Sequence, residues 1–124
     1  MVRQSEKAHV VARQLVNTWK ITSVLAEQQG IEFFAILQPT AFTNVGASLN
    51  PNLGLTEGLN FALSKQFVAV YPLIKQYAKD ANINFIDLSF ALDTCSDCYF
   101  DFCHLRPSGN AKIARSMVDI FKTF

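Results

Sequence analysis

Apolar side chains in the N-terminal part of the chain return at helical spacing, at Val11, Leu15, Trp19, Leu25 and Ala26, with Thr22 on the same stripe. Arg13, Asn17, Lys20, Glu27 and Gln28 fall between them. This pattern predicts an amphipathic helix over about 5–29. Gly30 stands where a helix end favours a left-handed residue. The period then changes. "IEFFAIL" (31–37) is short and almost wholly apolar, and it predicts a strand buried on both faces. A loop over 38–56 leads to a second helix over about 57–79, with Leu63, Phe67, Val70, Ile74 and Tyr77 on one stripe. Pro72 is expected to kink or interrupt that helix. "INFIDLS" (83–89) predicts a second strand, and "FALDTCSDCYFDFCHLR" (90–106) an irregular segment. A last helix opens at Pro107, whose fixed φ suits a first helical position. It is expected to run to the end, with Ile113, Ala114, Met117, Val118 and Phe121 inward.

The order is helix, strand, loop, helix, strand, loop, helix. Two buried strands joined through a helix imply a parallel crossover, in a sheet covered on both faces. Two strands are few for such a sheet, and one edge of "IEFFAIL" would lie open. The expected fold class is therefore α/β, the C-terminal half of a doubly wound parallel sheet, with residues 1–124 forming part of a single domain. The open edge predicts self-association or pairing with the missing N-terminal half.

Composition narrows the function classes. The 124 residues are 50% hydrophobic and 17% charged, which suits a globular core and not disorder. Eleven phenylalanines supply a large apolar interior. A net charge of +1 provides no electrostatic basis for nucleic-acid binding. The longest uncharged stretch, 33–56, is broken by Gln38, Pro39, Asn44, Asn50 and Pro51, so no membrane span is expected. "MVRQSEKAHV" has no apolar signal region. It leaves the compartment of the parent protein undetermined, export included.

The chemistry concentrates in "DFCHLRPSGNAKIA" (101–114). Asp101 lies three residues before His104, in a loop expected beyond the carboxyl end of the second strand, where open α/β sheets place functional groups. At that spacing a carboxylate can orient an imidazole and leave Nε2 free as a base. The competing reading is a turn-capping Asp101 beside a surface His104.

This block resembles the last conserved block of the SGNH/GDSL hydrolases, an Asp-x-x-His followed by Leu, a proline, Gly-Asn and a helix. "GIEFFAILQPTAF" resembles their strand with a Gln-Pro loop, and "FIDLSFALD" resembles the strand before the last block. The resemblance covers about 8–121. It implies a three-layer α/β/α, flavodoxin-like sandwich and hydrolysis of acyl or acetyl esters on a small-molecule, carbohydrate or lipid substrate, with no cofactor or metal. His104 would be the general base and Asp101 its orienting partner. Pro39, Phe42 and Asn44 would line the substrate side. The family's nucleophilic serine and its oxyanion Gly and Asn blocks are missing from these 124 residues. "GASLN" (46–50) lacks the second glycine of a nucleophile elbow, so Ser48 reads as a loop residue. The chain is expected to carry the Asp-x-x-His block of such an enzyme and to be inactive alone. Arg106 departs from the Ser or Thr that often precedes the proline and caps the helix.

Two further classes compete. Cys95, Cys98, Cys103 and His104 spell C-x-x-C-x4-C-H, the donor set of a small Cys/His zinc module. In an exported protein two of the three cysteines would instead form a disulfide; in a cytosolic one they would be buried free thiols. The other class is a degenerate, non-catalytic α/β interaction domain. His9 is expected to be solvated, Asp87 to bond loop amides, and Trp19 to sit in the core.

Overall fold

A computed structural model describes residues 3–48 and 50–124, without the side chains of Val45 and Ser48. The chain is about 60% helical, with three long helices and a two-stranded sheet among the described residues. This overturns the expected doubly wound, three-layer α/β/α class. The strands are the reason. β1 is only Ala35–Leu37 and β2 only Phe85–Asp87. Of the run "IEFFAIL", Ile31 is exposed and the first four residues stay outside the strand. The apolar run therefore supplies a short rung and not a fully buried central strand. The pairing itself is parallel, in the register Ala35–Phe85, Ile36–Ile86 and Leu37–Asp87.

Two compact units share the chain, one built from 1–37 and 65–87, the other from 38–64 and 88–124. In the first unit, α1 (Gln4–Gln28) ends as its sequence implies. Gly30 takes φ +70°, and the amides of Gly30 and Ile31 donate back to Glu27 and Ala26, which satisfies carbonyls that a helix end leaves open. The buried face of α1 is shifted from the expected stripe, of which Leu15 and Trp19 pack against the core. Ala8, Ala12, Val16 and Ser23 are buried, whereas Val11 and Leu25 are exposed. Small residues allow the helix to approach Tyr71, Ile74 and Ala78 closely, and these pack with Leu37 into one core. Trp19 borders that core and lies against Phe85.

Those partners stand on α2 (Gly58–Asp80), which runs through Pro72 without a break. The expected interruption is absent. A proline removes one helical hydrogen bond, and the packed neighbours Tyr71 and Ile74 hold the turn around it. His9, expected in solvent, is bonded through Nδ1 to the Tyr77 hydroxyl at 2.5 Å. Asp87, expected to bond loop amides, pairs with Lys75 at 3.1 Å.

The second unit is mostly short turns. The expected loop over 38–56 folds into Ala41–Thr43, Val45–Ser48 and Pro51–Leu53, each one helical turn. Asn50 caps the last of these by accepting from the Asn52 amide, as Asn does at a helix start. Its core joins Ala41, Ala47, Leu53, Leu92, Cys95, Cys98 and Tyr99. α3 (Pro107–Phe121) starts at Pro107 as expected. Ile113 packs against that core, but Ala114, Val118 and Phe121 are exposed, against the expected inward stripe.

Cys95 and Cys98 form a disulfide inside this core, and Cys98 is fully buried. The bridge closes a very short loop, so its chain-entropy contribution is at the low end, about 2 kcal/mol. Reduction is therefore expected to lower the denaturant midpoint of the helical signal by an amount equivalent to about 2 kcal/mol. Identical midpoints with and without reductant would count against the bridge as a structural element.

Candidate acid–base site

The site is a closed loop over 98–106. Its outer rung is the Arg106 amide donating to the Cys98 carbonyl at 2.8 Å. Its inner rung is the Phe100 amide donating to the His104 carbonyl at 2.8 Å, and Tyr99 and Leu105 pair as an antiparallel bridge between them. The disulfide anchors one stem. Pro107 begins α3 directly after the other. The 38–64 segment is tied in as well, because the Ala41 amide donates to the Phe102 carbonyl at 2.8 Å and the Phe42 ring stacks on Phe102 at 5.0 Å.

Asp101 organises the tip. Its Oδ1 accepts from the backbone amides of Cys103 at 2.9 Å and His104 at 2.8 Å. Its Oδ2 meets His104 Nδ1 at 2.7 Å. Both readings of this pair are thus realised together, since one carboxylate oxygen caps the turn and the other holds the ring. The Cys103 amide bond, then the His104 amide, the ring bond and the ring charge hold the Asp101 carboxyl well below the usual carboxylate range, against some desolvation. An ionised carboxylate only accepts, so the proton of neutral His104 sits on Nδ1 and Nε2 carries the lone pair. The imidazole is largely exposed. It is a positioned base open to a partner.

Cys103 completes the tip. Its Sγ lies 3.5 Å from His104 Nδ1, and it is the free cysteine among the three. Burial, then the charge of Asp101, pushes its thiol pKa up, so it is no ready nucleophile. The expected C-x-x-C-x4-C-H zinc set is not available in this state, because Cys95 and Cys98 are bonded to each other.

The chain matches no family model, no curated protein and no solved structure.

The remaining expected residues scatter. Pro39 is buried, Phe42 stacks on Phe102, and Asn44 is buried with its Oδ1 accepting from the Ala47 amide. The side chain of Ser48 lies outside the described residues. Arg106, the departure from the usual cap, makes no capping bond. Its Nε donates to the Tyr99 carbonyl and its guanidinium covers the Phe100 ring at 4.8 Å, so it braces the loop instead. Sequence reasoning did not single out Phe100, which directly precedes Asp101, is 60% exposed and lies under the Arg106 guanidinium. It named Asn44 only as a lining residue and did not anticipate that Asn44 Nδ2 and Asp93 Oδ1 are buried with no hydrogen-bond partner among the described residues. An Asn and an Asp in turn-rich segments carry no signal separating this from local capping. A concavity lined by Glu6, His9, Val10, Arg13 and Tyr77 belongs to the first unit and shares no residue with the loop. No helix among the described residues is long and apolar enough to cross a membrane.

Proposed function

We propose that Asp101 and His104 are the acid–base pair of an SGNH/GDSL-type serine ester hydrolase acting on acyl or acetyl esters, and that the attacking serine lies outside these 124 residues. The observation that carries this reading is the Asp101 Oδ2 to His104 Nδ1 contact at 2.7 Å with Nε2 turned to be the free nitrogen. In the assembled site, His104 Nε2 takes the proton of the serine hydroxyl as the oxygen attacks the ester carbonyl. The same nitrogen then returns that proton to the leaving alkoxide. Asp101 holds the tautomer and stabilises the imidazolium without itself being protonated. Its strongly depressed pKa suits that task, because a carboxylate well below the imidazole range keeps its charge throughout. The resemblance of "DFCHLRPSGNAKIA" to the family's last block supports the assignment.

The 124-residue protein assayed on a short p-nitrophenyl ester is expected to give no turnover above free imidazole. Turnover that survives Ser48→Ala but vanishes in His104→Ala would reveal a different nucleophile within the chain and refute the proposal. The coding DNA directly upstream of the Met1 codon is the companion test. An in-frame Gly-Asp-Ser run there supports the assignment. An in-frame stop would favour a non-catalytic interaction domain.

A further inference from the structure

The geometry points to a second use of the same loop tip: Asp101, Cys103 and His104 form a three-donor site for a thiophilic divalent cation of the zinc class, and its occupancy withdraws His104 from acid–base work. The regulatory half of this inference rests on the hydrolase reading; the binding half does not.

The donor set comes first. One carboxylate oxygen, one sulfur and one imidazole nitrogen converge within 4.8 Å of one another. Oxygen, nitrogen and sulfur donors together select zinc or its softer relatives over magnesium or calcium. The spacing comes second. With Zn–S at about 2.3 Å and Zn–N at about 2.0 Å, a tetrahedral site separates sulfur from nitrogen by about 3.5 Å. Cys103 Sγ and His104 Nδ1 stand 3.5 Å apart without adjustment. The corresponding nitrogen–oxygen edge is about 3.3 Å, whereas Asp101 Oδ2 and His104 Nδ1 are 2.7 Å apart. Against the ring nitrogen, the carboxylate oxygen has to withdraw by about 0.6 Å on the same tetrahedral geometry. Asp101 Oδ1 can remain on the Cys103 and His104 amides while Oδ2 does so. Three protein ligands leave a fourth position open to water or another ligand, as in zinc sites that are not purely structural.

The metal and the hydrogen bond compete for one atom. In the metal-free pair, Nδ1 carries the proton and Nε2 the lone pair. A cation bound at Nδ1 replaces the proton there, which is exchanged through solvent so that Nε2 becomes protonated, and the Cys103 thiol proton leaves to solvent. His104 then presents an N–H where a base is required, and Asp101 has exchanged its ring contact for a metal contact. The disulfide matters here, because it removes Cys95 and Cys98 as rival thiolates and leaves Cys103 as the free sulfur.

The test uses the full chain with its disulfide intact and zinc or cadmium alone as the probe. Saturating zinc is expected to slow iodoacetamide alkylation of Cys103 by about tenfold or more, and cadmium to give a thiolate charge-transfer absorption at one equivalent. Asp101→Ala and His104→Ala, both with retained helical circular dichroism, should each weaken cadmium binding by about tenfold or more, and Cys103→Ser should remove the absorption. Unchanged alkylation, or affinity unchanged in His104→Ala, would overturn the site. The alkylation readout is independent of ester turnover, so failure of the hydrolase reading leaves it standing. In the assembled hydrolase, full activity with cadmium bound would overturn the regulatory half.

Discussion

Gly46→Ala is expected to destabilise the second unit by about 3 kcal/mol, the upper end of what overpacking usually costs. A Cβ at this position would lie 2.6 Å from the Asp93 carbonyl oxygen and 2.7 Å from both the amide nitrogen and the carbonyl oxygen of Cys95. All three are backbone atoms, so no side-chain rotation relieves the clash. The segment they belong to cannot retreat easily either. The Cys95 amide is bonded to the Leu92 carbonyl, and Cys95 is bridged to the fully buried Cys98. The sign is diagnostic, because alanine normally exceeds glycine in a helical position by about 1 kcal/mol. Gly109 makes a similar approach at the start of α3, where a Cβ would lie 2.7 Å from the Cys98 carbonyl oxygen. Gly30 is the contrast. Nothing lies within 4 Å of its Cβ position and only its φ of +70° opposes substitution, so Gly30→Ala should cost only about 1 kcal/mol. Urea unfolding followed by circular dichroism ranks the variants. A Gly46→Ala protein as stable as the parent would show that the 45–48 turn does not pack on 93–95.

The second large effect is that of Asp101→Asn on the base. The variant keeps the shape and can still accept from the Cys103 and His104 amides, so the loop should remain folded. Its amide NH2 now faces His104 Nδ1 and donates where the carboxylate accepted. The ring answers by placing its proton on Nε2. In the assembled hydrolase this wrong tautomer is expected to lower kcat by about 10⁴-fold. On the chain alone it is expected as an exchange of the two ring-nitrogen signals in ¹⁵N NMR. An unchanged tautomer would mean that the Asp101–His104 contact does not orient the ring in solution. The pH dependence of stability follows from the same contacts. The folded-state pKa of Asp101 is depressed, so its contribution to stability is complete above the unfolded value of about 3.9 and is lost as pH falls below it toward the folded value. Asp101→Asn should lack that part of the acid sensitivity. An identical acid profile in parent and variant would remove the carboxylate from the stability argument.

Residue order and period were enough to place the three long helices, the parallel pairing of a strand within 31–37 with one within 83–89, the Gly30 helix end and the Pro107 helix start. Each depends on neighbours a few residues away, or on a short apolar run flanked by Gly30 and Pro39 that favours a strand over a helix. The Asp101–His104 pair was legible for the same reason. A spacing of three in a turn brings the two groups together whatever the rest of the chain does. The fold class was not legible, because a strand's length depends on what lies beside it, and only three residues in each run find a partner strand. Nor was the face α1 buries, since Ala8 and Ala12 win over Val11 by allowing close approach, a property of the facing helix and not of hydrophobicity. The union of Cys95 with Cys98, and the arrival of Cys103 sulfur at His104 Nδ1, were decided in three dimensions too. Three cysteines in one loop allow several pairings by spacing, and only the turn that Asp101 closes on two backbone amides leaves Cys103 beside the ring.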